Sequence, residues 1–284
     1  LVVQTWDHSI ATSIALEVPD NLGTPGALNS QFVASPPPQV DQLRHSPPVP
    51  APGQTATVTA RIASATPGPQ VRLHHRLDNS NGDGAWADKP MFDDGVSGGD
   101  SVAGDGVYSA LLTEYGASGQ VVQFYVRATA GGQLSQMPKW GADRPAMYVV
   151  DSPSAAGDLR RMRFVVSAFD VRAIGNGDNP TGSYGYKFPR LSNHYFNMTL
   201  LINERDIVYN CEIRTSGSPW TRGGGLDRGK FKLPKDQLFR GKEKLMYDND
   251  AGGGSRHHNR IARYWLYLLG HPVNENEYIL TEVN

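Results

Sequence analysis

Three sets of residues in this chain have the types and spacing to do chemistry. Lys230 and Lys232 alternate along GKFKLP, so a strand there puts both ammonium groups on one face and Phe231 and Leu233 on the other. Paired cations of this kind neutralise phosphate oxygens, although a half-buried strand with a solvated face gives the same pattern. Upstream, Arg214 opens RTSGSPWTRGGG, a Gly-rich turn between two strand-like runs. Backbone N–H groups in such a turn can approach phosphate oxygens without side-chain obstruction, and a plain hairpin has the same composition. Downstream, AGGGSRHHNR places three glycines and Ser255 at a helix start, followed by Arg256 and Arg260. Free N–H groups, the helix dipole and two guanidinium groups favour an anion there. His257 and His258 are adjacent, about 100° apart on a helix, and no acidic residue follows at metal-ligand spacing, so zinc is not expected.

The second set is acidic. DDGVSGGDSVAGDGVY carries Asp93, Asp94, Asp100 and Asp105, with glycines that let the chain fold back on itself. Carboxylates on a flexible loop suit calcium, which prefers several hard oxygen ligands. The spacing is not that of an EF-hand, and Asp-Gly pairs before a strand also make ordinary hairpin turns. The third set is aromatic: Trp86, Trp140 and Trp220 are candidate sugar platforms. No Ser-His-Asp arrangement is recognisable, because Ser167 and Ser216 lack a nucleophile-elbow context.

Composition narrows the classes of function. Residues 1–150 carry 8 Lys/Arg against 13 Asp/Glu, and residues 151–284 carry 19 against 15, so the halves have net charges of −5 and +4. An anionic ligand belongs to the second half, but a balance this weak and dispersed argues against nucleic acid as a partner. A single cysteine, Cys211, excludes an internal disulfide framework and a Cys-rich metal site. No run has the length of a membrane-spanning helix; the most apolar one, Ile261 to Leu269, is interrupted by Arg263.

The elements that must position these residues follow from periodicity. Residues 1–39 read as a strand followed by a connector stiffened by Pro36-Pro37-Pro38. Between Val40 and Asp151, alternation over Thr55 to Ile62, Gln70 to Leu77 and Gln120 to Ala128, with Met147 to Val150 closing the set, predicts an immunoglobulin-like or fibronectin type III-like β-sandwich. After a short Ser-Pro-Ala-Gly linker a new region starts at Leu159, with strands in RRMRFVVSAFD and HYFNMTLLINERDIVYNCEIR and a tight turn over Asn203 to Arg205. Ser255 caps a final helix with Ile261, Ala262, Trp265, Leu268 and Leu269 on one apolar face, expected to pack on a sheet with Arg256 and Arg263 nearer solvent. Gly270 stops the helix and Pro272 prevents its restart. The expected fold class is mainly β plus α+β.

Taken in order, CEIRTSGSPWTR, GKFKLP, LFRGKEKLMYDNDAGGGS and RHHNRIARYWLYLLGHPVNENEYILTEVN resemble the N-terminal half of the CotH (spore coat protein H) kinase-like family. The family's pattern is an Arg-Gly-Asn-Ser type turn, a Lys-containing strand, an Asn-Asp loop, an Arg-Asn-Lys type helix and a strand reading into Asn-Gly-Tyr. The corresponding pieces are Arg214 to Ser218, Lys230 to Lys232, Tyr247 to Asp250, Asn259-Arg260 and Tyr278 to Asn284. The glycine insertion and His pair before the helix depart from that pattern.

The resemblance implies that residues 159–284 are the N-terminal portion of an atypical kinase-like α+β domain. It further implies the use of ATP and Mg to phosphorylate Ser or Thr on partner proteins, with Arg214, Lys230, Lys232 and Arg260 facing phosphate. The family's catalytic and metal-holding aspartates lie in its C-terminal half, expected beyond Asn284, so the chain reads as a fragment that is inactive by itself. GTPGALNS is similar to the end of a lamin-tail domain, and HSPPVPAPGQTATVTARI to the first strands of sandwich modules in large bacterial exported proteins. A secreted, cell-surface or spore-associated location follows from these resemblances. Two competing readings are a non-enzymatic adhesion or matrix-assembly protein contacting surface or coat proteins, and a carbohydrate-binding module.

Overall fold

The computed structural model describes residues 2–4, 13–15, 33, 35–79, 81–153, 157–174, 193–217, 226, 228–248, 258–273 and 276–284. The chain divides into two compact units, 1–36 and 37–284. In the first, β1 (Val2–Gln4) pairs antiparallel with β2 (Ser13–Ala15). GTPGALNS lies outside the described residues, as do Trp220, Gly223, Gly224 and Gly225 of the turn after Arg214, and Ser255, Arg256 and His257.

The second unit begins with a β-sandwich. One sheet has the order β3 (Gln39–Ser46), β4 (Ala56–Ala63), β7 (Val107–Leu112). The facing sheet runs β10 (Ala146–Val149), β8 (Val121–Ala130), β5 (Gln70–Leu77), β6 (Ala87–Pro90), with β9 (Gln133–Met137) also paired to β8. Alternation decides which residues meet between the sheets: Ala56, Val58, Ala60 and Ile62 of β4 face Val71 and Leu73 of β5 and Val122, Phe124 and Val126 of β8. In β8 every residue from Val121 to Val126 is buried, because its outer face is covered as well.

Gln123 and Tyr125 there lie against Arg76, His74 and Trp86 of the sandwich, and Val121 packs, with β10, against a six-stranded sheet, ordered β15 (Lys244–Asp248), β14 (Arg228–Lys232), β13 (Asp206–Thr215), β12 (Phe196–Ile202), β11 (Arg160–Val165), β16 (Ile279–Val283). All its pairings are antiparallel except β11 with β16. Val165 and Leu201 on one face pack with Val49, Val121, Met147 and Val149 of the sandwich. Met162, Phe164, Met198, Leu200, Ile213 and Phe231 on the other face form a separate core. Between Ile202 and Asp206 the turn takes positive φ at Asn203 and Glu204, so the tight hairpin is formed where the sequence places it.

Tyr209 of β13 crosses from this sheet into the sandwich core. Its hydroxyl lies 2.6 Å from Nδ1 of His45 in β3 and accepts the His45 backbone N–H at 3.0 Å.

Two sequence expectations are corrected. RRMRFVVSAFD is not one strand: β11 ends at Val165, and α1 (Ala168–Ile174) follows. Ser167 is its cap, its hydroxyl accepting the Asp170 N–H at 3.0 Å, so Ser-x-x-Asp is a helix-start signal read as strand. The second correction concerns α2 (His258–Leu268), whose apolar residues were expected against the sheet. Ile261, Trp265, Leu268 and Leu269 are 52, 61, 55 and 70% exposed, while Arg263 is partly buried. Arg260 stacks over Tyr278 at 4.6 Å, which turns the cationic side of the helix toward the chain leading into β16. Periodicity identifies an apolar face but not what lies opposite it. The helix end is as expected: Gly270 has φ 80°, and the N–H groups of Gly270 and His271 bond the carbonyls of Tyr267 and Leu266, a Schellman arrangement.

Candidate functional site

The cations singled out in the sequence lie on the face of the six-stranded sheet opposite Phe231 and Leu233. Register sets Arg214 of β13 directly across from Lys230 of β14, and Glu212 across from Lys232. Glu212 is the centre of this cluster. Its Oε1 takes Arg144 of the sandwich at 2.9 Å and its Oε2 takes Lys232 at 3.3 Å. Burial pushes the Glu212 carboxyl upward, but the hydrogen bonds and charges of Arg144 and Lys232 outweigh it and hold the group below the usual carboxylate range.

Tyr195 lies under two of the cations, with Lys232 Nζ 3.9 Å and Arg214 Cζ 5.1 Å from its ring centre. Arg214 Nη1 also donates to Asn193 Oδ1 at 3.0 Å. Lys230 makes no ion pair among the described residues. The cluster therefore holds four cations around one carboxylate, and Arg214 and Lys230 are the pair whose mutual repulsion an anion between them would relieve.

Arg260 is not brought to this cluster. Its stacking on Tyr278 puts it beside β16, four strand spacings or roughly 19 Å from β14. Sequence reasoning missed Arg144, Tyr195 and Glu212. Glu212 carried a signal, being two residues before Arg214 and hence on its face; Arg144 carried none, because it belongs to another module.

In the acidic loop the carboxylates first serve the backbone. Asp93 accepts the N–H groups of Gly104, Asp105 and Gly106, and Asp100 accepts that of Gly95. Gly98, with φ 63°, sits where a Cβ would lie 2.6 Å from the Ser109 carbonyl oxygen, so only glycine fits. Asp93, Asp100 and Asp105 each offer one oxygen within 4.8 Å of the others. Asp94 does not join them; it accepts the Val96 and Ser97 N–H groups, which hold its carboxyl below the usual range. Three converging carboxylates supply part of the six to eight oxygens that calcium takes.

Among the described residues Trp86 and Trp140 make no ring contact with each other. Trp86 stands at 73° to Tyr125 with the Arg76 guanidinium 4.5 Å over its ring, and Trp140 lies after β9 with Lys139 at 5.4 Å. Cys211 is fully buried, and burial pushes its thiol up, so it is not a nucleophile. No helix among the described residues is long and apolar enough to cross a membrane.

No family model matches this chain, and no curated protein matches it. Among solved structures it is similar to the cycloalternan-forming enzyme from Listeria monocytogenes in complex with pentasaccharide substrate, at 14% identity and a TM-score of 0.28. That match covers 73% of this chain and 16% of the enzyme, a likeness too slight to carry an argument about fold or activity.

Proposed function

We propose that the six-stranded sheet binds the phosphates of ATP, as the CotH kinase-like resemblance implies, within an exported, surface- or spore-associated bacterial protein that phosphorylates Ser or Thr of partner proteins. The observation behind this reading is the cross-strand pair Arg214 and Lys230, with Lys232 two residues along on the same face. Arg214 and Lys230 would hold the phosphate oxygens, and Mg would arrive with the nucleotide. Lys232, shared with Arg144 through Glu212, fixes the floor of the site instead. Calorimetric titration of Mg-ATP into the whole chain tests this. Arg214→Gln and Lys230→Gln should each weaken binding about tenfold or more, as loss of one charge-assisted contact does, and Arg260→Gln should not. Equal affinity in all variants, or no binding at all, would sink the phosphate reading.

A non-enzymatic reading, adhesion or coat assembly, rests on the apolar face of α2. Exposed contiguous patches of this kind mark interaction sites on soluble proteins. Failure of the intact chain to bind Mg-ATP would put this reading first. For the acidic loop we propose calcium, held by Asp93, Asp100 and Asp105. Added calcium should then raise the thermal midpoint of the chain, and Asp100→Asn should remove that increase; a midpoint indifferent to calcium would leave the loop a backbone-bonded turn.

A further inference from the structure

α2 carries apolar side chains that nothing among the described residues covers. At 100° per residue, Ile261, Tyr264, Trp265, Leu268 and Leu269 fall within an arc of about 140°, and each is more than half exposed. Asn259, Arg260 and Arg263 lie on the opposite side, where Arg260 stacks over Tyr278 and Arg263 is partly buried. The helix therefore rests on the body by its basic side and points its apolar side away.

The side chains around the helix are graded. From Leu268 at the apolar centre, Tyr264 comes next and Arg260 after it, each step about 40°. That sequence runs from hydrocarbon, through a ring with a polar tip, to a guanidinium. A bilayer leaflet has the same order along its normal, from acyl chains through the interface to the phosphates. Charge agrees with this match. Residues 258–273 include no Asp or Glu. Glu277, one residue before Tyr278, does not offset the helix cations, because its two oxygens go to Arg160 at 2.8 Å and Arg240 at 3.3 Å.

We propose that α2 docks this protein onto an anionic lipid surface, lying in the plane of the interface with Ile261, Trp265 and Leu268 among the acyl chains and Arg260 at the phosphates. Protein occupants fit less well. A second copy would set two basic helices together with no acidic residue on either, and three turns present less than the roughly 800 Å² per partner of a standard interface. A protein groove takes one apolar stripe of a helix, whereas Leu266 and Tyr267, outside the arc, are exposed as well. The proposal uses the helix face of the assembly reading but rests neither on that reading nor on ATP binding.

The test is sedimentation of the whole chain with vesicles of phosphatidylglycerol and phosphatidylcholine in equal parts, against phosphatidylcholine alone, without nucleotide or calcium. The mixed vesicles should bind about tenfold more tightly or better, and raised salt should shrink that difference. Trp265→Ala should weaken binding about tenfold, and Leu268→Asp should abolish it. Both variants should keep the thermal midpoint of the intact chain, since the side chains they replace are exposed. The proposal fails if the mixed vesicles do not bind, if neutral vesicles bind equally, or if Leu268→Asp binds normally. A lowered midpoint in both variants would also overturn it, because the face would then be covered within the fold. So would a free chain that sediments as a dimer and is separated by Trp265→Ala, because a second copy would then cover the helix.

Discussion

His45 and Arg163 are both almost fully buried polar side chains at the junction of the sandwich and the six-stranded sheet, and they are satisfied in opposite ways. His45 belongs to a neutral network. Because Tyr209 Oη already accepts the His45 backbone N–H, its own proton goes to Nδ1, which leaves Nε2–H to donate to the Pro48 carbonyl at 3.0 Å. Tyr148, stacked at 5.0 Å, and the edge of Phe124 at 5.8 Å close the cage, and among the described residues no carboxylate faces the ring. Arg163 belongs to an ionic one. It reaches Asp151 at the end of the sandwich (2.7 Å), Glu204 in the β12–β13 turn (2.6 Å) and Glu282 of β16 (3.1 Å).

The neutral network needs no charge desolvation, but it has only one protonation state that works. The ionic network bears a desolvation cost that three carboxylates offset, and it tolerates acid until they titrate. Asp151 is held below the usual carboxylate range by its hydrogen bond from Arg163, which extends that tolerance.

The largest effect should come from breaking the ionic side. Arg163→Ala removes the buried guanidinium that Asp151, Glu204 and Glu282 share and should cost about 3–5 kcal/mol in urea denaturation. A cost below about 1 kcal/mol would mean that water replaces the guanidinium and that the contrast is false.

Acid should act on the neutral side first. Burial holds His45 down to about 4, against 6.5 for an ordinary histidine, so between those values the unfolded chain takes up a proton that the folded chain refuses. Stability should be flat in this respect above pH 6.5, fall by about 3 kcal/mol as pH drops to 4, and level off below. His45→Gln should flatten that window while leaving the carboxylate-dependent loss at lower pH. An unchanged pH profile in the variant would assign the acid sensitivity to carboxylates instead.

Tyr209→Phe keeps the ring in the sandwich core but removes its hydroxyl, stranding His45 Nδ1 and the His45 N–H. It should cost about 1–3 kcal/mol, less than Arg163→Ala. A larger loss would rank the neutral network as the stronger of the two. The smallest effect marks the surface baseline: Trp265→Ala, with its ring 61% exposed, should change stability by no more than about 0.5 kcal/mol. Several kcal/mol would mean that α2 is covered in solution.

Local pattern alone carried much of this molecule. Alternation over Thr55 to Ile62 and Gln70 to Leu77 matches β4 and β5, the helix before Gly270 is present with its glycine terminator, and Lys230 and Lys232 share a face because a strand has period two. These features depend on residues within a few positions of one another, where the backbone's own geometry decides. Only the tertiary structure set His45 against Tyr209, 164 residues apart, joined Arg144 to Glu212, and separated Arg260 from Lys230. It also turned the apolar side of α2 outward and left Arg127 opposite Arg72. A sequence states how apolar or charged each face is; strand order and register, fixed by how whole sheets pack, determine which faces meet.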